Sequence, residues 1–459
     1  MRTRTALFLG AIAAFVASGC VQQYSADERP CPCADGYFCC AATGTCLEEG
    51  RDCPCADEDC PEGGYCDAQG ECHPAADADL VVGRYGHASV LLEDGRVLTT
   101  GGIRRLATGH EEILATAEIF DPVSGRMRLL QDDHGLPLTM HATSGRAFHT
   151  MTRLRDGKVL IAGGAAPLPG SDGALTALRS AELFDPETDS FITPMDMGDG
   201  RARHSATALA VGPVLLAGGV VYDGAGSIDH WLDSAVVYDA NDQSWTPVSG
   251  AMAGGRAQHR AVMLDPATTQ GKVLILGGRG RAGVSTSIDI YNPNGNQFYQ
   301  GVDLHLARPG VDACAVRLPS GRVLVAGGSA VADDPATDPL EHEALDGLAL
   351  YDPFGGAYGT LQESASAMST ARSQHTCTLL DDGWVLVAGG LDEDGLATAA
   401  LDLISEDDWT LTVEQHPEPL ASGRFGHTAV KLHSGRVLIL GGLASTAPDG
   451  EVIGRTEMR

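Results

Sequence analysis

The chain has 459 residues, of which 31 are basic and 61 acidic, giving a formal charge of −30. That balance excludes nucleic acid and anionic lipid headgroups as principal partners, since both are held by clustered Lys and Arg. The length exceeds what one ordinary hydrophobic core covers, so the chain is either several domains or one repetitive architecture.

In chain order the first element is a targeting segment. Arg2 and Arg4 precede an apolar run, Ala6–Ala17, too short to span a bilayer as a mature helix. Ala17, Ser18 and Gly19 then lead to Cys20. This stretch resembles the lipobox of bacterial lipoproteins, with Ala17 where that family more often carries Leu. The resemblance implies that residues 1–19 are removed as a signal peptide and that Cys20 is acylated, with 20–30 as a tether. The expected location is the cell envelope, lipid-anchored to the membrane and facing the periplasm or the outside.

Residues 31–72 hold Cys31, Cys33, Cys39, Cys40, Cys46, Cys53, Cys55, Cys60, Cys66 and Cys72. So many cysteines in a short exported segment predict a disulfide scaffold, because too few apolar residues remain to build a core. The segment is duplicated: CPCADGYFCCAATGTC and CPCADEDCPEGGYCDAQGEC share their opening, a Gly-Tyr step and a Gly-x-Cys ending. Each copy has an odd number of cysteines, so full oxidation requires at least one bridge between copies. A zinc site is the rival reading, but His73 is the one adjacent histidine and export favours oxidation. Residues 73–79 read as a linker, and the module as a stalk.

From 80 to 459 one phrase recurs seven times. It is GRYGHASVLLEDGRVLTTGG at Gly83–Gly102, GRAFHTMTRLRDGKVLIAGG at Gly145–Gly164 and GRFGHTAVKLHSGRVLILGG at Gly423–Gly442, with weaker copies ending at Gly219, Gly278, Gly328 and Gly390. The glycine pairs lie roughly 50–62 residues apart, the period of a propeller or a similar array. Within a unit, a loosely alternating strand such as His427–Leu432 leads into a tight turn around Gly435. Val437–Leu440 is apolar throughout, which predicts a strand buried on both faces. The glycines that follow suit close approach of neighbouring sheets. A third strand ends in an aromatic-Asp-Pro step such as Phe120-Asp-Pro122 or Phe184-Asp-Pro186, a turn start. Seven residues on, Met127, Phe191, Trp245, Phe298 or Tyr358 opens a fourth strand, and Trp409 takes that part in the sixth unit.

Four strands with a glycine pair after the second and an aromatic at the third-to-fourth turn resemble a kelch repeat. The resemblance covers Leu80 to Arg459 and implies an all-β, seven-bladed propeller of the sort found in galactose oxidase. The last unit supplies three strands, and Leu80–Val82 is the expected fourth, closing the ring.

Arg84, Arg146, Arg201, Arg256, Arg308, Arg372 and Arg424 recur once per unit, and a histidine follows three residues later except in unit five, where Asp312 or Ala313 breaks the series. A group repeated in every blade predicts structure, with Arg paired to an acid and His bonded to backbone. No catalytic, metal or cofactor site is expected, and the protein is expected to be a monomer. Ligand binding belongs to the variable loops after the glycine pairs and between units, which emerge on one face. Its candidates are Arg104, Arg105 and His110, then Tyr222, His230 and Trp231, then Arg279, Arg281 and His342. Trp231 stands first, as a loop tryptophan among charges suits a protein or a glycan. Asp392–Asp394 reads as a solvated acidic turn rather than a calcium site. The alternative function, a copper-dependent oxidase of the galactose oxidase type acting on sugars or aldehydes, is implied by the resemblance alone. It needs a cysteine cross-linked to a tyrosine, copper histidines and a further domain. The two cysteines of the repeats, Cys314 and Cys377, sit at different offsets and are expected to be buried free thiols.

Overall fold

The computed structural model describes residues 78–459 except 107, 142–144, 169–173, 224–226, 304–311, 332–341, 357–358 and 446–450; the side chains of 193–194, 300–303, 331 and 342 are also outside the description. The chain divides into two compact units, Met1–Pro74 and Ala75–Arg459. In the first, the backbones of two short hairpins are described. Tyr37–Cys40 pairs with Thr45–Glu48, setting Cys39 opposite Cys46, and Tyr65–Cys66 pairs with Cys72–His73, setting Cys66 opposite Cys72. The signal segment, Cys20 and the side chains of all ten module cysteines lie outside the described residues.

Blade 2 illustrates how the repeat becomes a sheet. Thr150–Arg153 pairs with Val159–Ala162, which pairs with Ser180–Asp185, which pairs with Ser190–Asp196, each antiparallel. The second strand is buried at every position because a neighbouring sheet covers each face. Val159 and Ile161 pack with Leu98 and Ile119 of blade 1, while Leu160 and Ala162 pack with Leu216 and Tyr238 of blade 3. The six equivalent strands are buried throughout in the same way. The aromatic at the end of strand three meets the large residue opening strand four: Phe184 faces Phe191 at 5.4 Å between ring centres and Tyr238 faces Trp245 at 4.7 Å. Blades 5 and 6 depart from the expected pairing. Tyr351 is opposite Leu361, and Tyr358 lies outside the described residues. Trp409 precedes its strand with φ +73°, and the Arg322 guanidinium of blade 5 stacks 4.1 Å above its ring.

Seven such sheets make an all-β, seven-bladed propeller. The innermost strands are Ala88–Leu91, Thr150–Arg153, Ser205–Ala208, Arg260–Met263, Cys314–Arg317, Thr376–Leu379 and Thr428–Lys431; each touches the next, and the last touches the first. Blade 7 has three strands, ending with Glu457–Met458. Leu80–Val82 does not form its fourth. The Leu80 amide donates to Gly454 O (2.8 Å) and the Thr456 amide to the Asp79 carboxylate (2.7 Å). The amides of Val81 and Val82 turn instead to the Glu118 carboxylate, a buried charge that needs donors more than the sheet needs an edge.

Three kinds of contact hold the seams between blades. First, the recurring arginines are buried and paired within their blades: Arg84 with Glu118, Arg146 with Glu182, Arg256 with Asp289, Arg372 with Asp402 and Arg424 with Glu457. Each carboxylate also accepts an amide from the linker entering its blade, at Val81, His141, Ala253, Ser369 and Ala421. Second, the arginine's own carbonyl accepts the second glycine amide of the preceding blade, as in Gly102 to Arg146 and Gly219 to Arg256, both 2.9 Å. The glycines are required by this approach: a Cβ on Gly218 would lie 2.5 Å from Arg256 O and 2.8 Å from the His259 ring. Blades 3 and 5 carry Val236 and Ala349 where the others have an acid. In blade 3 the Arg201 guanidinium donates to the carbonyls of Gly218 and Ser234, and burial pulls its pKa down to about 10. In blade 5 the register set by Ala313 counts back to Gly310 rather than Arg308, which lies outside the described residues.

Third, the histidines meet backbone, as His87 does at Arg84 and Leu440 and His427 at Ala388, and they also bond across the seams. Nε2 of His87, His149, His204, His259 and His427 meets a hydroxyl of the preceding blade, from Thr428, Thr100, Thr150, Ser205 and Thr376, at 2.8–3.0 Å. Thr100 serves where Ala88, its cross-strand partner, has no hydroxyl. Burial, reinforced by the adjacent arginine, lowers the pKa of His87, His259 and His427 to about 3 and pushes His149 and His204 well below the usual range.

Two outcomes follow for stability. Glu182→Leu, which strands a buried guanidinium and frees the His141 linker, is expected to cost about 3–5 kcal/mol in urea unfolding. The double variant Arg146→Met/Glu182→Leu is expected to recover most of it, because an apolar pair carries no desolvation penalty. The histidines stay neutral when folded, whereas the unfolded chain takes up protons below about pH 6.5. Their contribution is therefore complete above pH 6.5 and is lost as pH falls from there towards 3, by roughly 2 kcal/mol per histidine at pH 5. A urea midpoint that falls between pH 7 and pH 5, with a shallower fall in His87→Gln, is the expected result; an unchanged midpoint contradicts neutral burial.

Candidate functional site

The residue before each seam histidine, or before Ala313 in blade 5, is left-handed: Gly86, Phe148, Arg203, Gln258, Asp312, Gln374 and Gly426 have φ between +52° and +62°. Their amides link head to tail around the axis. The Gly86 amide donates to Gly426 O (3.3 Å), Phe148 to Gly86 O (2.8 Å), Arg203 to Phe148 O (3.0 Å), and the series continues through Gln258 and Asp312 to Gln374. This girdle turns seven side-chain positions towards one cavity of about 1240 Å³ to which all seven blades contribute. Small-molecule sites occupy roughly 300–1,000 Å³, so this one accommodates an extended ligand.

The wall is asymmetric. Arg203 lies 3.7 Å above the Phe148 ring, and the Gln258 amide donates to the Asp312 carboxylate at 2.7 Å. Gly86 and Gly426 leave the blade 7–blade 1 side without side chains. Above the girdle, the chain after each of five glycine pairs forms a two-stranded ribbon, and three of these reach the cavity, that of blade 2 through Leu175. Val220–Tyr222 with Ile228–Trp231 brings in Tyr222 and Trp231, which pack with Phe148 and Leu175. Arg279–Gly280 with Gly283–Val284 brings in Arg279. Tyr85 and Phe425 complete the aromatic lining; the Tyr85 hydroxyl donates to Glu111, and burial together with that carboxylate raises its pKa, so it stays protonated. Arg260, whose Nε donates to Ala313 O at 2.6 Å, adds a third arginine. The lining thus carries Arg203, Arg260 and Arg279 against Asp312, a basic mouth on a strongly acidic chain.

Of the residues singled out from sequence, Tyr222, Trp231 and Arg279 come together here. Arg104 and Arg105 instead pair along their own ribbon with Glu112 (2.7 Å) and Glu111 (2.8 Å). His110 and Arg281 are exposed at ribbon turns, and His230 is exposed beside Asp229 at 2.7 Å. His342 heads a strand, Ser329–Val331 with His342–Ala344, and its side chain lies outside the described residues. Asp392 accepts the amides of Asp394 and Leu396 in an exposed turn. Sequence reasoning missed Phe148, Arg203, Gln258 and Gln374, whose signal is the second of the two varying positions inside the repeated Arg-x-x-His.

Deeper in the channel Cys314 and Cys377 form a disulfide, Cα–Cα 5.8 Å, correcting the expectation of two free thiols. Adjacent innermost strands are staggered by one residue. Ser89 and Thr428 hold the equivalent positions at the blade 7–blade 1 seam and are hydrogen-bonded at 2.8 Å. The different offsets of the two cysteines are therefore what pairing across a seam requires.

No model of a protein family matches the chain. Among curated proteins it is 28% identical over 174 residues to kelch-like protein 15 of Danio rerio and 26% identical over 170 residues to that of Homo sapiens, each match covering 36% of this chain and 26% of the relative. It is also 29% identical over 215 residues, 43% of this chain and 29% of the relative, to tRNA wybutosine-synthesizing protein 4 of Rattus norvegicus. The chain spans about a quarter of the length of these relatives. Among solved structures it is similar to a fungal alcohol oxidase of the AA5 family in complex with copper, with TM-score 0.61 and 15% identity over 83% of this chain and 74% of that one. It is also similar to YjhT, with TM-score 0.52 and 15% identity over 73% of this chain and 99% of that one. The repeats, the seven blades and these likenesses together make the described chain a seven-bladed β-propeller of the kelch type.

Proposed function

We propose that this propeller is a binding module that takes an acidic protein segment or an anionic glycan in the mouth of its channel, and that it is displayed from a bacterial cell envelope on a lipid anchor at Cys20. The asymmetric lining carries the reading. Aromatic faces of Trp231, Tyr222 and Phe148 offer apolar area at low entropic cost. Arg203, Arg260 and Arg279 supply charge-assisted donors, and Gln258 and Gln374 add polar contacts. The anchor rests on the Ala17–Cys20 stretch and the basic, apolar segment before it.

The oxidase alternative asks for a free cysteine beside a tyrosine and for histidines with open nitrogens. Cys314 and Cys377 are bonded to each other, and five seam histidines have Nε2 engaged by hydroxyls. These residues do not fit a copper site of that kind, and no oxidase step is assigned to them.

The test of binding is capture of partners from detergent-solubilised envelope by the full chain, followed by titration of the captured partner. Trp231→Ala is expected to weaken binding by about 2 kcal/mol, roughly thirtyfold. Arg203→Gln is expected to lower both the affinity and its dependence on salt. Equal affinity of both variants and the parent places the ligand elsewhere. Cys20→Ser is expected to move the protein from the membrane fraction to the soluble one; retention in the membrane fraction rejects the anchor.

A further inference from the structure

The seam between blades 5 and 6 differs chemically from the others. At four seams the first residue of an innermost strand presents a hydroxyl to the next blade's histidine, as Thr150 does to His204 and Thr376 to His427, and Thr100 does so for His149. At this seam that position is Cys314, and its sulfur is bonded to Cys377. His375 is consequently the one seam histidine whose Nε2 meets no hydroxyl among the described residues; it is buried, only 2% exposed, with the Ala326 backbone as its polar neighbour. The donor atoms of Cys314, His375 and Cys377 all lie within 4.8 Å of one another, and both cysteines line the channel, Cys377 half-buried.

We propose that the Cys314–Cys377 bond is a redox cover over a metal site, and that its reduction creates a two-thiolate, one-imidazole centre that binds zinc or a similar borderline-soft divalent cation. The reduction is a two-electron exchange with a dithiol. One reductant thiolate attacks the Cys377 sulfur, the bond to Cys314 breaks with Cys314 leaving as thiolate, and the reductant's second thiol resolves the mixed disulfide. The reductant ends as a disulfide and both protein sulfurs are reduced. Zinc binding then releases the remaining thiol proton to solvent. Two Cys and one His are a known zinc donor set that leaves a fourth position open. Cys314, His375 and Cys377 all line the channel, through which a cation can reach them.

The experiment compares the full chain with two full-length variants, Cys314→Ser/Cys377→Ser and His375→Ala, each oxidised and after treatment with a dithiol that is then removed. Because the N-terminal module also holds cysteines, the readout is the difference between chains, not the total. Thiol alkylation and peptide mass spectrometry report whether Cys314 and Cys377 open in the folded protein. Zinc is counted by competition with a chromogenic chelator, and cobalt substitution reads thiolate ligation by its charge-transfer band. The reduced parent is expected to bind one zinc per chain more than the reduced double variant, and the oxidised forms are expected to match. His375→Ala, which keeps both sulfurs, is expected to weaken the extra site by about tenfold or more. Equal zinc content in reduced parent and double variant overturns the proposal, as does failure of the pair to open in the folded chain. An extra site whose affinity is unchanged in His375→Ala overturns the three-ligand centre.

Discussion

At six of the seven seams of this propeller one blade is fastened to the next through the backbone carbonyl of a buried arginine, which accepts a glycine amide from the sheet before it. The side chain of the same residue fixes that carbonyl in place. Its guanidinium donates to the carbonyl of the first glycine in its own blade and, in five blades, to a carboxylate that also holds the incoming linker. Removing any part leaves a buried charge or a buried amide unanswered, so the elements are interdependent in a way that apolar packing alone is not. The apolar clusters between sheets supply the mass of the contact. The arginine junction supplies the register.

The channel inherits its geometry from these junctions. Left-handed backbone at Phe148, Arg203, Gln258, Asp312 and Gln374 is uncommon for residues with side chains and persists where the surroundings over-determine it. Here the surroundings are the amide link to the neighbouring blade and, in every blade but the fifth, the arginine two residues earlier and the histidine one residue later. A rigid scaffold thereby holds five unlike side chains in a ring, which is how a repetitive fold presents a non-repetitive surface.

The architecture was legible because the blades repeat one solution: apolar Val437–Leu440 and its six counterparts had to be covered on both faces, and in five blades the Arg finds an acid. What escaped was whatever depends on the relation between blades. The histidines meet backbone as expected, yet five of them also take a hydroxyl some fifty residues away, or across the ring closure in the case of Thr428 and His87. Cys314 and Cys377 looked mismatched because the one-residue stagger of adjacent inner strands is a property of the assembled ring. Phe148 and Arg203 looked like filler between Arg and His because nothing local announces their left-handed turn; glycine announced it at Gly86 and Gly426 alone. Blade 5 went astray for a related reason. Ala349 and Ala313 replace the acid and the histidine together, so the neighbouring Arg308 offered a false register.

The girdle of amides has an electrostatic consequence. Amides linked head to tail around the axis at six seams point along the girdle rather than through it, unlike those of a helix, which add along its axis. Differences in charge around the entrance therefore come chiefly from the substituents. At Gly426 a Cβ would meet nothing within 4 Å, while five other blades already carry side chains on the same backbone. Ligand charge preference in this molecule is thus a quantity that single substitutions can retune during evolution while the scaffold beneath stays fixed.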